Sequence, residues 1–161
     1  MNELDKTLLR RCAEIAHEAL EKGNHPFGAL LADEGGNILL EQGNEFTTGG
    51  SSYHAETLLT LKAAKLYSPE FLSKCTLYTN FEPCCMCTGA IYWANIGRLC
   101  FGLTEKELLR RTGNNEENPT FDLSSREVLS HGQKTVIVDG PVEDDLELAD
   151  LLVKDHIGFW K

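Results

Sequence analysis

Two short motifs far apart in this chain carry side chains that make chemical sense only together, and that requirement constrains the fold more than any other feature. The first is His54-Ala55-Glu56 and the second is Pro83-Cys84-Cys85-Met86-Cys87. An imidazole and two thiolates suit a zinc ion. Three of them leave the fourth tetrahedral position to water, as a catalytic site does, whereas a structural site is usually closed by four protein ligands. The fold must therefore bring both segments to one point. If a helix begins near Cys84, the Cys-x-x-Cys spacing puts both sulfurs on one face of its first turn. There the unpaired backbone N–H groups and the positive end of the dipole favour thiolates. Pro83 suits that first turn, where its missing N–H has no partner to lose.

His54, Cys84 and Cys87 are the candidate metal ligands, with one Zn2+ per chain as the expected cofactor. A bound zinc lowers the pKa of its water toward ~7. Glu56, two residues beyond His54 at the start of a helix, need not ligate the ion but can reach that water and carry its proton to a leaving group. Taken singly, Cys-x-x-Cys can be a redox pair and His-x-Glu an accident of composition. Together they point to a zinc hydrolase site. A zinc-stabilised interaction protein without catalysis is the alternative class, and the intact Glu56 argues against it.

The chain alternates between helical and extended patterns. Leu8, Leu9, Cys12, Ile15, Ala16, Ala19 and Leu20 fall on one face of a helix over Lys6 to Lys22, ended by Gly23-Asn24. Strands are expected over Gly28–Ala32 and Asn37–Glu41, joined by the hairpin signal Asp33-Glu34-Gly35-Gly36. A loop from Asn44 to Tyr53 leads into a helix over His54–Tyr67, followed by a strand over Thr76–Thr79 and the second motif's helix, running to Asn95. Then come a strand over Leu99–Leu103, a helix over Glu105–Arg111, a polar loop, a short helix near Ser125–Leu129 and a strand over Thr135–Val138. The hairpin is antiparallel while strand-helix-strand units are parallel, so the five-stranded sheet is mixed. Helices on both faces make this a three-layer α/β/α fold of the α/β class. A single domain over residues 1–161 is expected, with a C-terminal helical tail from about 143.

A chain of 161 residues buries about 70% of its unfolded surface without disulfide staples. Cys12, Cys75 and Cys100 sit in apolar patterns and read as small buried thiols. The acidic N-terminus does not resemble a signal peptide and no apolar run approaches membrane-spanning length, so a cytoplasmic, non-membrane protein is expected. The net charge of −10, from 15 basic and 25 acidic residues, disfavours nucleic acid polymers, whose partners normally carry basic surface. Arg110-Arg111 near Lys106 is the one basic cluster, and a solvated helix face accounts for it.

With its H-x-E and P-C-x-x-C motifs, the sequence resembles the zinc-dependent cytidine and nucleobase deaminases, over roughly residues 1–140. Pro26-Phe27-Gly28-Ala29 and Gly89-Ala90-Ile91-Tyr92-Trp93-Ala94 are similar to the bacterial guanine deaminase branch. The resemblance implies a cytidine deaminase-like fold with strand order 2-1-3-4-5, zinc on His54, Cys84 and Cys87, and Glu56 as proton shuttle. It implies hydrolytic deamination of a free nucleobase, guanine first, with cytosine, nucleosides and other amino-heterocycles as alternatives. Asn44, Phe27 and Ala55 are the implied substrate contacts. The interval from Asn44 to His54 is about one residue shorter than in the guanine enzymes. Those enzymes also place a carboxylate after the fourth strand, where Asn115 stands here; Glu116 or Glu117 is the nearest substitute. Related deaminases close the pocket with C-terminal aromatics, sometimes from a neighbouring subunit, so a homodimer with tails that can be exchanged is expected here, and Phe159 and Trp160 have two readings: a lid, or a core anchor for the terminal helix. Among the remaining histidines, His25 beside Pro26-Phe27 is the one placed to approach the pocket.

Overall fold

The structure, a computed structural model, describes residues 1–160. Its elements run α1 (Glu3–Glu21), β1 (Gly28–Ala32), β2 (Ile38–Gly43), α2 (Phe46–Gly49), α3 (Ala55–Leu66), α4 (Pro69–Leu72), β3 (Thr76–Phe81), α5 (Cys85–Ala94), β4 (Arg98–Leu103), α6 (Glu105–Thr112), α7 (Ser125–Ser130), β5 (Ile137–Asp139) and α8 (Leu146–Val153), followed by a 3-10 turn over Lys154–His156. The strands form one sheet in the order β2-β1-β3-β4-β5. β1 is antiparallel to both β2 and β3, whereas β4 is parallel to β3 and to β5. The mixed sheet and its order are those expected.

Alternation along the strands sorts side chains between two cores. Leu30, Tyr78 and Cys100 face α1 and α8, where Leu8, Leu9, Cys12, Ile15, Leu148 and Leu152 meet them. Ala29, Leu31, Leu77, Leu99 and Phe101 face α3 and α5, where they bury Leu59, Ala63 and Ile91. This gives three layers. α1 lies directly on the start of β1, because a Cβ at Gly28 would come within 2.5 Å of the Cys12 carbonyl oxygen. Cys12, Cys75 and Cys100 are buried free thiols, as expected.

Several boundaries move for local reasons. α1 starts at Glu3 rather than Lys6, since Asn2 and Asp5 form a reciprocal capping box at 2.9 Å in each direction. The expected loop from Asn44 contains the short helix α2, and Ser68 caps an unforeseen α4 with Pro69 in its first turn. β5 occupies Ile137–Asp139 instead of Thr135–Val138. The second motif's helix begins at Cys85 with Cys84 as N-cap, so Pro83 lies one residue before the cap, outside the first turn assigned to it. The Pro83 carbonyl instead accepts a hydrogen bond from the Thr88 hydroxyl at 3.2 Å.

Candidate metal centre and its cavity

His54 and Cys84 occupy equivalent places: each is the N-cap of a helix, in extended backbone geometry, and neither side chain caps its own helix. Ser, Thr, Asp and Asn are the usual residues there because their oxygens accept from the first turn. Here the side chains point at one another instead. His54 Nδ1 lies 3.6 Å from Cys84 Sγ and 3.5 Å from Cys87 Sγ, and the three donor atoms all fall within 4.8 Å of one another. A tetrahedral zinc with ordinary Zn–N and Zn–S bonds has an N···S edge of ~3.6 Å. The donor set therefore fits one zinc ion. Thr57 donates to Cys87 Sγ at 3.1 Å, a bond that favours thiolate and orients it. Within the sulfur pair, a hydrogen bond from Cys87 and the neighbouring imidazole lower the pKa of the Cys84 thiol, while that of Cys87 is pushed up.

Glu56, in the first turn of α3, is buried and held by the Thr79 hydroxyl, which lies 2.7 Å from Glu56 Oε1 and 3.1 Å from the Phe81 carbonyl oxygen. That geometry serves both protonation states. The hydroxyl can donate to an ionised Glu56, or accept from a protonated one while donating to Phe81. Burial raises the Glu56 pKa, opposed by His54 and by the Thr79 bond. Thr79 stands on β3, the sheet's central strand, so this carboxylate rests on the most enclosed part of the fold.

Above these groups opens a cavity of about 390 Å³. His54, Cys84 and Glu56 line it together with Phe27, Asn44, Glu116 and Glu117. Asn44 Oδ1 accepts from the Phe46 backbone N–H at 2.9 Å, which leaves the amide N–H groups as what it can offer a ligand. Cys87 and Ala55 are fully buried behind the lining. For Ala55, the first helical residue, the group suited to a ligand is its backbone N–H.

Phe159 and Trp160 do not line the cavity. Trp160 is buried because its indole N–H donates to His156 Nδ1 at 3.1 Å, and His156 Nε2 in turn donates to the Pro26 carbonyl at 2.7 Å. The tail docks on its own chain as an anchor, one layer behind the wall, where the lid reading had put it over the substrate. Trp160 meets His25 edge-on at 4.8 Å between ring centroids, and His25 itself is part of the cavity lining.

Sequence reasoning missed two carboxylates of this lining. Glu82 is buried, its Oε2 accepting from the Ser125 backbone N–H at 3.0 Å and hydroxyl at 2.8 Å. Glu105 opens α6 immediately after the Thr104 cap. Burial, reinforced by repulsion from Glu56 and Cys84, raises its pKa to about 8. The available signal was positional. Glu105 follows the carboxyl end of a parallel strand, where α/β sheets bind ligands. The lining contains carboxylates and histidines but no Lys or Arg.

Comparison with known proteins agrees with this architecture. Over 161 residues the chain is 36% identical to a probable cytosine deaminase of Schizosaccharomyces pombe, covering 99% of this chain and 94% of that one. It is 41% identical over 90 residues to guanine deaminase of Bacillus subtilis, covering 55% of this chain and 58% of the relative. The solved structure of guanine deaminase from Nitrosomonas europaea shares the fold, with a TM-score of 0.70 at 24% identity over 92% of this chain and 82% of that one. Residues 2–103 match the zinc-binding region of the cytidine and deoxycytidylate deaminases, and the chain belongs to that family.

Proposed function

We propose that the protein deaminates a free nucleobase hydrolytically, guanine to xanthine with release of ammonia. The observation that carries this reading is a carboxylate-walled cavity, free of Lys and Arg, over the His54, Cys84 and Cys87 donor set. A phosphate group has no cation to meet there and several anions to avoid, which disfavours nucleotides and nucleic acid. The surface cluster does not compensate, since Arg110 and Arg111 both pair with Glu107, at 2.6 Å each. A bicyclic base fills more of the cavity than a monocyclic one, and the relationship to the Bacillus guanine deaminase supports the same choice. Cytosine is the second reading, favoured by the full-length similarity to the yeast protein.

When bound, zinc supplies Lewis acidity and lowers the pKa of water to ~7. The remaining steps belong to the chain. Asn44, and the backbone N–H of Ala55, orient the base with its amine toward Glu56, and Phe27 supplies apolar wall. Glu56 takes one proton from the attacking water and passes it to the ring nitrogen beside the reacting carbon, then takes the second from the hydroxyl of the resulting adduct and delivers it to the amine, which leaves as ammonia as the carbonyl forms. The Thr79 hydroxyl follows each change of charge by reversing its hydrogen bond. Glu116 and Glu117 line the cavity as acceptors for N–H donors of the incoming base. Free, buried thiols suit the reducing cytoplasm, and among the described residues no helix is long and apolar enough to cross a membrane.

Ammonia release from guanine, cytosine, their nucleosides and their monophosphates tests the proposal. Turnover of guanine should exceed that of every phosphorylated substrate by orders of magnitude. A preference for a monophosphate would overturn it.

A further inference from the structure

His25 has a buried polar atom without a hydrogen-bond partner. Its Nε2 is the one buried side-chain nitrogen or oxygen, among the described residues, that lacks a hydrogen-bond partner. The residue is only 6% exposed and lines the cavity. Its ring is clamped, stacked on Phe46 at 4.2 Å between centroids and met edge-on by Phe159 and Trp160 at 6.0 and 4.8 Å. The backbone beside it is pinned as well, because the Pro26 carbonyl accepts from both His156 and Asn80. An unsatisfied nitrogen held this rigidly in a cavity wall is arranged for a ligand, since buried polar groups otherwise find partners.

The facing group is Glu117, whose Oε2 lies 3.8 Å from His25 Nε2, beyond hydrogen-bond range. The carboxylate favours the tautomer with hydrogen on Nε2, and burial keeps the imidazole neutral by lowering its pKa, the Glu117 charge opposing in part. The pair thus presents one donor and one acceptor side by side. The nitrogen and oxygen of a cis N–H/C=O edge lie about 2.2 Å apart, so two bonds of ~2.9 Å reach His25 and Glu117 with little splay.

We propose that His25 and Glu117 form the specificity element of this site and read a lactam edge, with His25 Nε2–H donating to the ring carbonyl oxygen and the adjacent ring N–H donating to Glu117 Oε2. This rests on the nucleobase reading above and deepens it. Guanine offers such an edge at N1 and O6, and free cytosine offers one at N1 and O2. The tail acquires a role through it, because Trp160 and Phe159 hold the His25 ring in place without touching the base.

The test uses the zinc-loaded enzyme and two unreactive ligands, hypoxanthine, which has the lactam edge, and purine, which lacks it. Calorimetry on the wild-type protein should show hypoxanthine bound roughly 10- to 100-fold tighter than purine. His25→Phe keeps the aromatic packing and should abolish that preference while purine affinity and zinc content stay constant. Glu117→Ala, on a solvent-exposed side chain that threatens no core, should erase most of it as well. Equal affinity for the two ligands in the wild type, or a preference that survives both substitutions, would overturn the inference. If guanine is not turned over but the preference disappears on substitution, the guanine assignment fails and the lactam-reading pair stands.

Discussion

The cavity has two corners built by opposite means. At the metal corner, two helix starts converge, and each functional atom sits within a few residues of its neighbours in one of two short motifs. At the tail corner, the His25 wall depends on Phe46, His156, Phe159 and Trp160, drawn from two distant parts of the chain. The first corner is built from two short motifs and rich in polar bonds, whereas the second is assembled by ring packing. Damage at the metal corner should therefore remove chemistry, while damage at the tail corner should cost stability and binding but leave the metal in place.

The hardest blow to that contrast is Cys87→Ser. Removing one of three ligands is expected to drop zinc content well below one per chain, measured by mass spectrometry, abolish turnover and lower the melting temperature, because metal binding is coupled to folding. Glu56→Gln should then separate metal from proton transfer. It keeps zinc and fold but loses kcat by roughly 10²- to 10⁴-fold, and a variant that retains most activity would remove Glu56 from the shuttle role. At the other corner, Trp160→Ala should cost about 3 kcal/mol or more in chemical denaturation. Zinc should be retained and KM should rise; loss of zinc in this variant would mean that the corners are not independent.

The subtlest separation concerns pH. Burial lowers the His156 pKa to about 4, below its ordinary 6.5. Between those values the unfolded chain binds a proton that the native chain refuses. Stability linked to His156 is thus fully present above pH 6.5 and is lost progressively as pH falls toward 4, by roughly 3 kcal/mol. His156→Gln should flatten that slope in urea unfolding. Comparing wild type with variant at each pH cancels the loss of zinc that acid also causes, and equal slopes would mean that His156 is not held neutral between Trp160 and Pro26.

The legibility of the two corners follows from the same difference. Mixed polarity and the convergence of His54, Cys84 and Cys87 could be read in the sequence because periodicity and motif spacing are local signals, whereas the order of the strands followed only from the family resemblance that those motifs carry. Helix starts shifted where caps outweighed apolar spacing, as Asn2 and Asp5 show in α1. Glu82 and Glu105 remained hidden because a carboxylate becomes a cavity wall only through what long-range packing places around it. Trp160 was ambiguous for a similar reason: its indole N–H needed a partner, and His156, four residues earlier, presents an acceptor there only because its other nitrogen grips the distant Pro26 carbonyl.

The docking of Trp160 also gives the protein an optical handle. The chain has two tryptophans, and they lie in opposite settings, Trp93 being 81% exposed and Trp160 only 8%. Trp93 should emit at long wavelength and be open to quenching by iodide, whereas Trp160 should emit to the blue and be shielded. With Trp93 replaced by Phe, the remaining emission reports from a ring against His25. Occupancy of the cavity could then be followed by titration or stopped flow, without a labelled ligand and without turnover.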